Sequence, residues 1–187
     1  RKPEVKFDPQ AFETKQVDVR VTATLCADGH ASGIDSQIQY RIFGNGIVII
    51  DHRVSIPKTM PHIPRIGLEL ILPAGFERLT WFGRGPHENY VDRKNGAAVG
   101  RYTSTVDTQY TPYVFPSESG GKEDIRWLAL THEAGYGLLV TGLNLLHIDA
   151  LHYTIADLEQ AGHPYELHRR PETILHLDGW HMGVGGD

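Results

Sequence analysis

Residues 34–50, which read IDSQIQYRIFGNGIVII, decide the class of fold. Apolar side chains in residues 34–42 alternate with polar ones, which is typical of a strand that buries one face. The alternation stops at Asn45 and Gly46, and a further apolar run begins at Ile47. Because Asn-Gly between two such runs is the strongest short-range signal of a hairpin, this stretch predicts two antiparallel strands.

The same pattern continues on both sides of this hairpin. Residues 1–14 show no sustained period and are predicted to be a loose lead-in. Only residues 154–160, with Thr154 as a candidate N-cap, resemble a helix. Short strands separated by Gly and Pro turns predict an all-β fold, a large antiparallel β-sandwich in one domain over residues 1–187. The other predicted strands are residues 17–23, 47–56, 65–72, 76–82, 97–106, 125–131 and 137–142, with a weak alternation over 145–153.

The composition limits the function. The chain has 187 residues, 40% of them hydrophobic and 22% charged, as in an ordinary globular protein. A net charge of -5 and a pI of about 6.1 argue against nucleic acid or an anionic membrane as a partner. Cys26 is the only cysteine, which excludes an intramolecular disulfide and argues strongly against a cysteine metal site.

Eleven histidines raise the question of a metal site. In a strand, residues five apart point to opposite faces, so the closest pairs would not converge on one ion. The sequence also has no His-Glu-x-x-His. We therefore predict solvent-facing or hydrogen-bonded histidines and no metal site in this chain. The pairs are His147 with His152, His163 with His168, and His176 with His181.

Residues 87–93 form a polar loop with a dense set of hydrogen-bonding groups. Such a set suits either a sugar or a buried structural network, and the structural network is favoured because Arg–carboxylate clusters often fix loops. A serine hydrolase is not supported, since Ser117 and Ser119 lack a Gly-x-Ser-x-Gly elbow. The loop residues concerned are Glu88, Asn89, Tyr90, Asp92 and Arg93.

Four glycines surround Trp180, His181 and Met182 shortly before Asp187. Glycine permits close backbone approach, so this loop could present an aromatic face and a polar ring to a small molecule. The alternative is a glycine-rich turn with Trp180 packed in a core, which composition alone favours.

Four ordered motifs carry a resemblance to a known family. They are residues 66–68 (IGL), 81–93 (WFGRGPHENYVDR), 110–120 (YTPYVFPSESG) and 177–187 (LDGWHMGVGGD). Together they resemble the C-terminal domain of the multi-domain β-galactosidases of glycoside hydrolase family 2, which is a separate small subunit in some bacterial members. Val91 departs from the proline usual at that position. The first sixty-odd residues carry no signature.

The resemblance implies a galactose-mutarotase-like sandwich, here truncated, from a longer chain. It places the catalytic glutamates and the Mg and Na sites in a central barrel that this chain lacks, so no catalytic residue is expected here. In the family, the last motif leads on to Asp-Ser-Trp, whose tryptophan reaches the active site as a sugar platform. Trp180 does not match that tryptophan. The candidates for the rim of the substrate pocket are Trp180, His181, Met182 and Asp187.

The implied parent hydrolyses terminal β-D-galactosides such as lactose with retention. Its barrel and other domains would be the partners of this chain, in an oligomeric enzyme of the cytoplasm or, alternatively, the periplasm.

Two other functions stay open. One is a stand-alone aldose epimerase, which needs a His and a Glu converging on a sugar. The other is a carbohydrate-binding module that uses Trp81, Trp127 or Trp180 as an exposed platform.

Overall fold

The computed structural model describes residues 3–7, 15–27 and 33–185. The chain separates into two compact units, Arg1–His62 and Ile63–Asp187. Each unit is built on one antiparallel sheet. The prediction of a single domain over residues 1–187 stays a prediction.

The first unit is a four-stranded sheet in the order β1-β2-β3-β4. The predicted hairpin is confirmed: Gly46 has a φ of 87°, and the Phe43 N–H donates to the Ile47 carbonyl at 2.9 Å. The prediction of an unstructured lead-in is wrong at β1, which is too short to show a period. The strands are β1 (Glu4–Phe7), β2 (Gln16–Leu25), β3 (Ile34–Phe43) and β4 (Val48–Ser55).

The second unit is a six-stranded sheet in the order β5-β10-β9-β8-β6-β7. The chain-terminal strand β10 lies between β5 and β9, so its side chains meet residues that are distant in sequence. The strands are β5 (Arg65–Leu72), β6 (Phe76–Gly85), β7 (Ala98–Thr105), β8 (Lys122–His132), β9 (Gly137–Leu151) and β10 (Thr173–His181).

Strand β9 unites two segments that the sequence analysis predicted separately. Residues 137–142 and the weakly alternating residues 145–153 form one strand of 15 residues. Its first part is largely exposed, whereas residues 147–151 are buried whether polar or apolar. The alternation fades in the sequence because both faces are covered there.

One helix, α1 (Ile155–Gln160), follows β9. The predicted N-cap is confirmed: Thr154 Oγ1 accepts from the Asp157 N–H, and Asp157 accepts from the Thr154 N–H in return. This capping box fixes the start of the helix beside the end of β9. Leu158 is its buried residue.

The apolar core of the second unit lies against one face of its sheet. Trp81 is 1% exposed, and its ring packs on Tyr102 with centroids 5.5 Å apart. Leu175 and Leu177 of β10 join this core, and the intervening His176 belongs to a polar network. The other fully buried members include Leu79, Val106, Ile125, Leu128, Leu130 and Ile148.

The predicted all-β antiparallel class is confirmed, with the two sheets that a β-sandwich requires. Helix is confined to α1 and two short 3-10 turns among the described residues. None of the helices in this part of the chain has the length and apolar character needed to cross a membrane.

Candidate functional site

A β-bulge in β10 creates the polar centre of the second unit. The register between β10 and β5 shifts between Asp178 and Trp180. A bulge inserts one residue and reverses the alternation, so His181 reaches the same polar network as His176. The prediction that residues five apart point to opposite faces is therefore wrong for this pair. At Gly67, across from the bulge, a Cβ would lie 2.0 Å from Asp178 Oδ1, so glycine is required.

Arg65, the first residue of β5, is the centre of a buried ion-pair network. Its Nη2 lies 2.8 Å from Asp149 Oδ2 and 2.5 Å from Asp178 Oδ2. Asp149 contacts His176 Nδ1 at 2.7 Å, and His176 Nε2 lies 3.1 Å from Glu69 Oε2. Both aspartates are 3% exposed, so their charges depend on Arg65 for compensation.

The titration of these groups reflects their pairing. Burial alone would raise the pKa of Asp149, but bonds and charges from His176 and Arg65 outweigh burial and lower the pKa to about 2. Burial alone would lower the pKa of His176, yet the bond to Asp149 leaves that pKa raised. His181 follows the same logic, since Glu118 raises its pKa against the effect of burial.

A second cluster joins β10 to the loop before β8. His181 Nε2 lies 2.6 Å from Glu118 Oε1, and the His181 ring stacks on His147 with centroids 4.1 Å apart. His147 Nδ1 contacts Glu123 at 2.8 Å, and the centroid of the Tyr90 ring lies 5.4 Å from that of His147 and 5.7 Å from that of His181. The cluster ties the end of the chain to three separate segments.

Among the residues that the structure describes, three groups of side chains place possible metal ligands within reach of one another. In the first group, Gly183 donates its N–H to His181 Nδ1, so the proton of a neutral His181 ring sits on Nε2, facing Glu118. A metal at that nitrogen would have to displace this bond. The geometry favours a hydrogen-bonded cluster. His147 Nε2 is buried and has no hydrogen-bond partner among the described residues. The groups are Glu118/His147/His181, Glu77/Asp107/His152 and His147/Asp149/Asp178.

Glu88 and Arg93 of the polar loop hold the segment before β8. Glu88 accepts from the Gly120 N–H at 2.9 Å and from Arg93 at 2.8 Å, and the Tyr113 hydroxyl donates to it. These contacts clamp residues 110–120 against the loop. None of them leaves the Glu88 carboxylate free for chemistry.

The three other residues predicted in the polar loop serve different segments. Asn89 Oδ1 accepts from the Glu123 N–H at 2.9 Å. Tyr90 is 0% exposed and accepts from the Gly121 N–H. Burial and the nearby Glu88 charge raise the Tyr90 pKa, so its hydroxyl stays protonated. Asp92 accepts from the Gly185 N–H at 2.9 Å.

The terminal segment, residues 180–185, exposes two side chains and buries a third. Trp180 is 57% exposed and Met182 is 51% exposed, whereas His181 is 7% exposed. The alternative in which Trp180 packs in a core is therefore wrong. The fourth rim candidate, Asp187, lies outside the described residues.

A cavity of about 510 Å³ opens beside the Arg65 network. Its polar lining includes Arg65, Glu118, Asp149 and His176, which the sequence analysis did not assign to a site. They come from four segments, and only the sheet order brings them together. Its apolar lining includes Phe115, Pro116, Leu151, Tyr153, Ile155 and Leu158.

The raised pKa values of His176 and His181 predict a pH-dependent stability. A folded-state pKa above the unfolded value of about 6.5 means that the folded chain holds more protons in that range, so stability falls as pH rises. We expect the free energy of unfolding to be larger near pH 6 than near pH 8, measured by urea titration. His181→Gln should flatten this decline, whereas His163→Gln, at an exposed position, should not. A rise in stability over this range that depends on His181 would contradict the assignment.

Comparison with known proteins agrees with the motifs. A family model described as β-galactosidase small chain matches residues 2–187. The chain belongs to this family. The β-galactosidase of Priestia megaterium is 40% identical over 173 residues, which is 92% of this chain. Those of Vibrio cholerae and Psychromonas ingrahamii are 43% and 40% identical over 84% and 82% of this chain.

The small-chain match covers a minor part of each relative. This chain spans 16% of the Priestia megaterium protein, 15% of the Vibrio cholerae protein and 14% of the Psychromonas ingrahamii protein. These relatives therefore have most of their length outside the matched region.

Proposed function

We propose that this chain is a non-catalytic component of a β-galactosidase. It would complete the rim of the active site and contribute to the assembly of the enzyme. The parent would hydrolyse terminal β-D-galactosides with retention, through two glutamates of a separate barrel. The observation that supports this role most is the exposure of Trp180 and Met182 on a backbone that is firmly held.

The terminal segment is held at four points, two of them at its backbone and two at side chains. The Trp180 indole N–H donates to the Ile63 carbonyl at 3.3 Å, and the Met182 N–H donates to the Pro64 carbonyl at 2.9 Å. Glu118 holds His181, and Asp92 holds the Gly185 N–H. Loops positioned by a rigid sheet can supply aromatic groups to a neighbouring site. An exposed tryptophan and methionine held in this way suit the edge of a sugar pocket.

The carboxylates at the cavity do not resemble a glycosidase pair. A glycosidase needs one carboxylic acid with a raised pKa. Burial would raise the pKa of Glu118, but His181 and Arg65 lower it, and that of Asp149 is also lowered. These two groups would therefore be ionised at neutral pH and unable to act as general acid.

The epimerase alternative is weaker for a related reason. It needs a histidine with a nitrogen free to exchange a proton with the sugar. Both ring nitrogens of His176 are already hydrogen-bonded, to Asp149 and to Glu69.

The remaining features of the parent belong to the same proposal. Its other domains would cover surfaces that this chain leaves exposed, in an oligomeric cytoplasmic enzyme. The Mg and Na ions would be held in the barrel, by residues outside this chain.

The isolated chain is expected to show no β-galactosidase activity. It would bring no nucleophile and general acid together across a sugar, so hydrolysis of a nitrophenyl β-D-galactoside should equal the buffer blank. The measurement is the absorbance of released nitrophenol with purified chain. Turnover that co-purifies with the chain through successive columns would contradict the non-catalytic assignment.

A further inference from the structure

The cavity beside Arg65 has the size and lining of a small-molecule site. Its volume of about 510 Å³ lies in the usual range for such sites, roughly 300–1,000 Å³. The cavity is lined by the 115–118 segment, by residues of helix α1 and by the polar residues Arg65, Asp149 and His176. It is separate from the rim residues Trp180 and Met182, which do not line it.

In the polar network, Arg65 Nη1 and Glu118 Oε2 form an ion pair but make no hydrogen bond to each other. Arg65 uses Nε and Nη2 for the two buried aspartates, and its Nη1 makes no hydrogen bond to any described residue. Glu118 uses Oε1 for His181, whereas its Oε2 lies 3.6 Å from Arg65 Nη1, beyond hydrogen-bond distance. A hydroxyl group can donate to the carboxylate oxygen and accept from the guanidinium at the same time.

The charges select against ionic ligands. Glu118, Asp149 and Glu159 line the cavity against Arg65 and His176, so an anion would meet an excess of carboxylates. The N–H groups of Arg65 Nη1 need a hydrogen-bond acceptor, which a simple cation does not offer. A neutral, hydroxylated ligand supplies an acceptor for Arg65 and a donor for Glu118.

The apolar lining suits the carbon face of a ring. Phe115 is 64% exposed, and it lines the cavity together with Pro116 and Tyr153. An aromatic ring offers a flat apolar surface, and the partial negative charge of its face favours packing against C–H groups. A ligand with hydroxyls on its edge and C–H groups on its faces is a pyranose.

We propose that this cavity binds a neutral pyranose sugar, with a hydroxyl placed between Arg65 Nη1 and Glu118 Oε2 and the ring packed on Phe115. The site is additional to the proposed rim and does not depend on it. It would bind sugar without hydrolysing it.

The test is an NMR titration of the ¹⁵N-labelled chain with D-galactose. We expect saturable shifts at the amides of residues 115–118 and 151–155, with a dissociation constant on the order of 1 mM. Phe115→Ala should weaken binding roughly three- to tenfold, because it removes the stacking surface. Glu118→Gln should weaken it as well, since the hydroxyl loses a charged acceptor.

Two controls locate the binding. Tyr165→Ala removes an aromatic side chain that is 78% exposed and lies outside the cavity, and it should leave the affinity unchanged. Trp180→Ala should also leave it unchanged. D-Galacturonate, with its carboxylate, should bind roughly tenfold more weakly than galactose.

Two results would overturn the site. One is the absence of saturable shifts in the folded chain up to about 100 mM galactose, well above the expected constant. The other is binding that Trp180→Ala weakens and Phe115→Ala does not, which would place the sugar at the terminal segment. The proposed role in a β-galactosidase would survive either result, because it is tested by hydrolysis and not by binding to this chain.

Discussion

Replacing Arg65 by methionine is expected to lower the free energy of unfolding by about 3–5 kcal/mol. The change leaves Asp149 and Asp178 buried without their common cation, and removing one partner of a buried pair is costly for that reason. Urea unfolding at neutral pH, followed by fluorescence, gives the value. The large effect follows from burial, because the arginine side chain is 17% exposed and both aspartates are 3% exposed.

Arg169→Met is the matched control in the same unit. Arg169 pairs with Asp107 and Glu77 and lies 2.9 Å from His152 Nε2, but the side chains of Arg169, Asp107 and Glu77 are 43%, 58% and 39% exposed. An exposed pair contributes under about 1 kcal/mol, so this variant should stay close to the wild type. Equal losses for the two variants would mean that the Arg65 network is not the buried ionic centre described above.

Replacing Trp81 by alanine is expected to lower the free energy of unfolding by about 3–5 kcal/mol, through lost burial and a cavity. Trp81 is 1% exposed, contacts the Tyr102 ring and donates its indole N–H to the Arg84 carbonyl at 2.9 Å. Differential scanning calorimetry or urea unfolding would show the loss.

Trp180→Ala is the control for the same substitution. Its side chain is 57% exposed, so the variant should lose less than about 0.5 kcal/mol of stability. This contrast separates a tryptophan kept for packing from one available to a neighbouring surface. A loss at Trp180 as large as that at Trp81 would show that the terminal segment belongs to the core.

The fold class could be predicted because most strands alternate cleanly. In β2 and β3 apolar and polar residues alternate with a period of two, and Asn45-Gly46 fixes the register of the next strand. Residues 147–151 of β9 lost that signal because side chains on both faces are buried there. The sequence also gave no sign of β1, whose four residues are too few to establish a period.

The candidate site could be predicted only in part. The polar loop and the terminal motif stand out as local stretches, so Glu88, Tyr90 and Trp180 were accessible to sequence reasoning. Arg65 and Asp149 were not, because their pairing depends on β10 lying between β5 and β9. Two features did carry a local signal. The motif at residues 66–68 contains Gly67, the glycine that the bulge requires. His176 and Asp178 lie just before Gly179, next to the glycine-rich segment that stands out in the sequence.

The most direct test of the proposed role is a chimera with the Priestia megaterium β-galactosidase. Its matched segment, 40% identical to this chain, would be replaced by residues 1–187, and hydrolysis of a β-D-galactoside would be compared with that of the same enzyme lacking the segment. We predict that the chimera is active and the shortened enzyme is not, and that Trp180→Ala lowers kcat/KM of the chimera while Tyr165→Ala does not. A folded, assembled chimera that hydrolyses no more substrate than the shortened enzyme would contradict the account.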